Sequence, residues 1–336
     1  MKYTESIEQS TVFKENYRDS ILKLIKSRQK YAKDKREIYA KDILTDTERY
    51  REDFKKMLGW PLVDCDGLGV PDAEFTELSK EDGYTLYRVH INTVEDLKLT
   101  GLFFRLDTDE KKPLVIVQHG GQGTPEFISG MYNGRTSNYN DMLMRVLKRG
   151  VHVFAPQLLI WNPSEHGADF DRSHIDAHLK RVGSSIAALE VHAITRVIDY
   201  FEAQDFVSEF GMVGLSYGGF YTLFTAAADT RIKSAVSCSY FNDRDEHIFT
   251  NWTWKGSALK FNDAEVACLV YPRRICLQMG NCDELFNSDF SIGSFEQIKQ
   301  MCKDVGTDWV ELVVFDGKHE FCKDDKYIDI LINDLK

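Results

Sequence analysis

No apolar run in the 336-residue chain approaches the roughly 20 residues that a membrane-crossing helix needs. Membrane insertion is therefore not expected. The start, Met1-Lys2-Tyr3-Thr4-Glu5-Ser6, leads into charged sequence instead of an apolar signal core, so a cytoplasmic location is expected. The seven cysteines (65, 238, 268, 276, 282, 302, 322) form no CxxC pair and no Cys/His ligand spacing. An odd, scattered set suggests reduced core thiols and no disulfide framework. Clustered Lys and Arg of the kind a nucleic-acid surface needs are lacking, and the net charge is −11. No phosphate-cradling loop is present either, because the glycines at 120, 121 and 123 lack the Lys-Ser/Thr of a nucleotide site. Internal repeats and low-complexity segments are absent. What remains is an ordinary globular composition, 43% hydrophobic and 28% charged.

One region departs from the acidic balance. Between Lys14 and Lys56 stand 14 basic and 9 acidic residues, a local +5 against −16 for the remainder. A solvated mixed-charge helix face accounts for this. The alternative is a helical arm docking on the acidic body of its own or a neighbouring subunit, giving a homo-oligomer. Residues 1–58 read as helix, with Ile21, Leu22, Leu24 and Ile25 apolar and no breaker before Gly59-Trp60-Pro61. The expected division is thus a helical arm over 1–58 and one catalytic domain over 59–336, with a loop or small cap at 240–263.

From Glu74 to Leu106 the apolar period becomes two, which predicts an antiparallel β edge. From Pro113 onward strand and helix alternate. Leu114-Val115-Ile116-Val117-Gln118 is a continuous apolar run, as in a strand buried on both faces. Further strands are predicted at 151–155, 210–213, 234–238, 275–279 and 310–315, and helices at 139–148, 184–201, 295–305 and 327–335. The fold class is α/β, a mostly parallel sheet with helices on both faces. Ligands bind such sheets at the carboxyl ends of the strands.

Gly214-Leu215-Ser216-Tyr217-Gly218-Gly219 lies where a predicted strand hands over to a predicted helix. A serine on such a turn takes strained backbone angles, and flanking glycines remove the Cβ atoms that would clash. A serine nucleophile needs a base to take its proton and a carboxylate to hold that base. Asp283 follows the strand ending at Met279, and His319 follows the last strand. Asp243, Asp245, Glu284 and Asp289 compete for the role of the acid. The loop His119-Gly120-Gly121-Gln122-Gly123 follows the first buried strand and offers a backbone N–H to an oxyanion, from Gly121 or Gln122, with Gly121 preferred and the N–H of Tyr217 as partner. His119 reads as structural. His174 and His178 stand at i, i+4, a spacing open to zinc, but no Glu follows His174 and surface packing is the better reading. No cofactor is expected. Trp161, Tyr240, Phe241, Trp252 and Trp254 fall in loops after strands, where they wall a pocket or pack the core.

The order Ser216, Asp283, His319 is that of an α/β-hydrolase. With Gln118-His119-Gly120-Gly121, the segment Tyr271-Pro272-Arg273-Arg274 leading to Gly280-Asn281-Cys282-Asp283, and Gly317-Lys318-His319, the chain resembles α/β-hydrolase esterases of the dienelactone hydrolase and acetyl xylan esterase type. The resemblance covers about residues 60–336. It implies a serine esterase that cleaves a small-molecule ester of a small acyl group, such as an acetylated carbohydrate. Two alternatives are a peptidase of prolyl-oligopeptidase type and a non-catalytic binding protein on the same scaffold. The first usually carries a large N-terminal propeller, for which about 110 residues are too few at roughly 40–50 per blade. The second is possible because fold does not imply activity, and the triad residues argue against it.

Overall fold

A computed structural model describes all residues except 1, 66, 122, 133, 135 and 161–169. The chain opens with α1 (Ile7–Tyr39), whose N-cap Ser6 forms a reciprocal capping box with Gln9. After a short turn comes α2 (Thr47–Leu58), then the meander β1 (Ala73–Glu81), β2 (Tyr84–Val94) and β3 (Leu97–Leu106). The alternating part comprises β4 (Lys112–Gln118), α3 (Pro125–Ile128), α4 (Met142–Leu147), β5 (His152–Pro156), α5 (Arg172–Arg181), α6 (Ile186–Glu202), β6 (Val207–Leu215) and α7 (Tyr217–Ala228). It continues with β7 (Ile232–Cys238), α8 (Asp263–Cys268), β8 (Arg274–Gly280), α9 (Ser288–Met301), β9 (Val310–Phe315) and α10 (Lys326–Asp334).

The nine strands of the described residues join one sheet in the order β1-β2-β3-β5-β4-β6-β7-β8-β9. Pairs from β5 through β9 are parallel, and the first three strands add an antiparallel edge. The continuous apolar run of β4 places it in the middle of the sheet, where Leu114, Val115, Ile116 and Val117 have no solvent exposure. One face is covered by α2 and α6 to α9, the other by α4 and α10. The carboxyl ends of β4, β6, β7, β8 and β9 therefore open on a single edge of the sheet.

The arm departs from the sequence expectation in two respects. It is not one helix, because α1 and α2 are separated at 40–46 without any Gly or Pro. Tertiary contacts make this turn: Ile43 is buried, and the Tyr50 hydroxyl donates to the Tyr39 carbonyl at the end of α1 (2.5 Å). Nor does packing separate at Gly59. Ala40, Ile43, Tyr50, Phe54, Leu58 and Leu62 belong to the same core as α6 and α7. Arg51 shows where part of the basic excess goes. Its guanidinium is buried and donates to the carbonyls of Ala227 (3.0 Å) and Leu269 (2.9 Å), at the carboxyl ends of α7 and α8. A cation there satisfies carbonyls that lack a helical partner and complements the helix dipole. The first part of α1 is different, with Phe13, Tyr17, Leu22 and Leu24 all more than half exposed.

This division gives a direct expectation. Deleting residues 2–24 will leave the melting temperature within a few degrees of the full chain. Deleting 2–58 strips Tyr50, Phe54 and Leu58 from the core, at about 2 kcal/mol per side chain, and will unfold the protein or lower its melting temperature by tens of degrees. Equal melting curves for the two truncations would show α2 to be a passive attachment.

Residues 240–262 run as a loop with two short 3-10 turns, and Tyr240 and Phe241 are fully buried. With Trp252, Trp254 and Phe261, Tyr240 walls a cavity of about 250 Å³ covered by Ile25 and Gln29 of α1.

Candidate active site

Ser216 sits at the handover from β6 to α7 with φ 62° and ψ −122°, a region costly for any residue with a Cβ. The glycines around it explain how the turn fits. A Cβ on Gly214 would stand 2.3 Å from the Gly218 carbonyl oxygen, and one on Gly218 would stand 2.2 Å from that of Gln118. The Ser216 N–H donates to the Cys238 carbonyl (2.8 Å), which pins the elbow to the end of β7. Ser216 is half-buried.

His319 and Asp283 meet as the order of elements requires. His319 Nδ1 lies 2.9 Å from Asp283 Oδ2, and the Asp283 side chain has no solvent exposure. The other carboxylate oxygen accepts the N–H groups of Leu285 (2.8 Å) and Phe286 (3.0 Å). Burial pushes the Asp283 carboxyl up, but the hydrogen bond and charge of His319 and these two amides outweigh it and hold the group below the usual carboxylate range. Asp283 is therefore an anion that fixes the proton on His319 Nδ1 and leaves Nε2 as the basic nitrogen. Ser216 Oγ makes no hydrogen bond with a described residue. Nucleophile–base bonds in unliganded sites are often long and tighten on substrate binding.

The loops carrying Asp283 and His319 are joined by main-chain bonds. Asn281 N–H donates to the Phe315 carbonyl and Cys282 N–H to the Gly317 carbonyl, both at 2.9 Å. A Cβ on Gly280 would stand 2.3 Å from the Lys318 carbonyl, so glycine permits this approach. The rival acids are engaged elsewhere. Asp243 accepts the Asp245 N–H (2.9 Å), and Glu284 faces Lys318 at 3.6 Å on the surface. Asp289 stands in the first turn of α9, where an acidic side chain complements the helix dipole, and its backbone N–H donates to Asn287.

The loop after β4 is held from below. The Gly120 N–H donates to the Tyr139 hydroxyl (2.7 Å), and the Gly123 N–H closes a turn on the Gly120 carbonyl (3.1 Å). Among the described residues the Gly121 N–H has no acceptor. Gln122 lies outside the described residues, as does Trp161. His119 has the structural position expected of it. Its Nδ1 lies 2.9 Å from the Gly120 carbonyl and its Nε2 accepts the Leu158 N–H (3.2 Å), which ties the loops after β4 and β5 together. Burial lowers its pKa to about 4, so the ring is neutral in both contacts.

His174 and His178 face each other on α5 with their Nε2 atoms 3.0 Å apart. Among the described residues no group of three or more His, Cys, Asp or Glu side chains could hold a metal ion.

Several contacts around the site leave no mark in the sequence. Asn138 donates to the His319 carbonyl (2.9 Å), and Asn140 donates to Glu320 (2.8 Å) and the Phe321 carbonyl (2.7 Å). The Tyr217 hydroxyl donates to Asn251 (3.0 Å). A buried trio of Arg172, Glu190 and Tyr221 lies under the Tyr217 ring, with the arginine 5.5 Å from the ring centre. Short polar side chains in loops satisfy backbone groups in almost every protein, so their presence alone signals no site.

No family model matches the chain, and no curated protein matches it in sequence. Solved structures do match in shape. A Bacteroides fragilis protein assigned as an acetyl xylan esterase superposes with a TM-score of 0.65 at 15% identity, over 80% of this chain and 74% of that one. A glucuronoyl esterase from Solibacter usitatus gives 0.62 at 14% identity, over 85% and 92%. Acetyl xylan esterase 1 from a Thermoanaerobacterium species gives 0.58 at 15% identity, over 87% and 94%. The chain has the α/β-hydrolase fold and resembles these esterases in architecture.

Proposed function

We propose that the protein is a serine hydrolase that cleaves a carboxylic ester of a small acyl group. The observation that carries this reading is the 2.9 Å bond between His319 and the buried carboxylate of Asp283, on the sheet edge where Ser216 occupies a strained elbow. Ser216 Oγ attacks the ester carbonyl while His319 Nε2 takes its proton. The tetrahedral anion receives hydrogen bonds from the N–H groups of Tyr217 and Gly121, each such donor contributing about 3 kcal/mol. His319 returns the proton to the departing alcohol oxygen, leaving Ser216 acylated. Water then repeats the sequence, giving up its proton to His319 and releasing the acid. No step requires a group beyond the chain and water. Two of the neighbours in fold bear the name acetyl xylan esterase, which supports acetylated carbohydrate as the substrate class.

The test is reaction with a fluorophosphonate probe, followed by a panel of acetyl, butyryl and octanoyl esters, acetylated xylooligosaccharides and peptides. Labelling of Ser216 and preference for acetyl esters are expected. An unlabelled protein would favour a binding role, and cleavage of peptides alone would move the protein to the peptidases.

A further inference from the structure

Phe286 is 3% exposed and touches both partners of the candidate nucleophile. Its N–H donates to Asp283 Oδ1 (3.0 Å), while its ring lies nearly parallel to the His319 imidazole, 15° apart with centres 5.6 Å distant. The same ring meets His247 at 4.4 Å, Trp252 at 6.2 Å and Tyr240 at 6.3 Å. Trp252 in turn packs on Tyr217 (4.8 Å) and Phe220 (5.7 Å) of α7. A continuous aromatic path therefore runs from the first turn of the nucleophile's helix to the histidine loop, and Phe286 is its last ring.

We propose that Phe286 is a positioning residue, which holds Asp283 through its amide and sets the plane of the His319 ring through its side chain. A hydrogen bond to Asp283 fixes one ring atom of His319 but leaves rotation about that bond open. A parallel ring against the imidazole face removes this freedom, so that Nε2 points to one place. Ring stacking of this kind contributes specific geometry beyond burial. The ionisable groups around His319 are Asp283, bonded to it, His247, against Phe286, the exposed Lys318–Glu284 pair, and Glu320, which is held by Asn140 and Lys323. His247 is kept neutral by burial, which lowers its pKa to about 4.

The inference rests on the serine-hydrolase reading for its kinetic consequence, not for its geometry, and the experiment separates the two. Phe286→Leu and Phe286→Met remove the ring, while Phe286→Tyr keeps it. In the full chain, proton NMR of His319 reports the ring directly. The upfield displacement of its ring protons should vanish in the Leu and Met variants and persist in the Tyr variant. With the preferred ester, kcat should drop about 10- to 100-fold for Leu and Met, with KM within about twofold and near recovery in Tyr, since misplacement of about 1 Å costs about 100-fold. His319 ring resonances unchanged in a folded Leu or Met variant would overturn the proposal. A wild-type protein inert to all esters would overturn the hydrolase reading alone, because the NMR comparison decides the role of Phe286 without activity.

Discussion

Ser216→Ala will fold like the wild type and lose turnover by a factor on the order of 10⁴ or more. The expectation of normal folding follows from the elbow. Alanine keeps the Cβ, so the cost of φ 62° is already present in the native protein, and the Ser216 N–H bond to the Cys238 carbonyl is untouched. The expectation of lost turnover follows from the covalent step, since no acyl-enzyme can form without the hydroxyl. In the proposed reaction, residual activity would come from the Tyr217 and Gly121 amides acting on a direct attack by water. Steady-state rates with the preferred ester and a melting curve for each protein check both halves. Turnover within tenfold of wild type in the variant would remove Ser216 as nucleophile and the proposed reaction with it.

Asp283→Asn will cost about 10⁴-fold in kcat, whereas Asp243→Asn will cost less than about threefold. The asparagine can still accept the Leu285 and Phe286 amides through its carbonyl oxygen, so the loop survives. Its NH₂ then faces His319 Nδ1 in place of Oδ2, and the imidazole must turn that nitrogen into an acceptor. The proton moves to Nε2, the atom that has to receive one from Ser216. The Asp243 carboxylate accepts the Asp245 N–H within its own loop and not His319, so its loss changes no tautomer. The pH profile gives an independent check. The Asp283 carboxyl is held below the usual carboxylate range, so it remains charged above about pH 4 and contributes no ionisation to the activity curve there. Its stabilising effect has the same sign. A depressed carboxyl favours the folded state above its unfolded pKa of about 3.9, and that contribution fades as pH falls through the lower folded value. The reverse ranking of the two variants would transfer the acid to the loop after β7.

The sequence by itself determined the α/β alternation, the parallel sheet and, of the candidate triad, Ser216 and His319 with a short set of acids between them. These are legible because their causes are local. A strand buried on both faces must be continuously apolar, as Leu114 to Val117 are. A serine forced to positive φ between close backbones needs glycine at 214 and 218. Only the tertiary structure decided which acid bonds His319, because Asp243, Asp245 and Asp283 all follow strands that end on one edge. The choice was made by the adjacency of β8 and β9, whose loops bond through Asn281 and Cys282. Only it decided that α2 belongs to the core, since an amphipathic helix with buried arginine reads in sequence as a solvated one. Arg51 is buried because carbonyls of α7 and α8 lie about 180 to 220 positions along the chain to receive it. The stacking of Phe286 on His319 and the Asn138 bond to the His319 carbonyl are of the same kind. Such contacts join residues far apart in the chain, and no spacing or periodicity near either partner encodes the other.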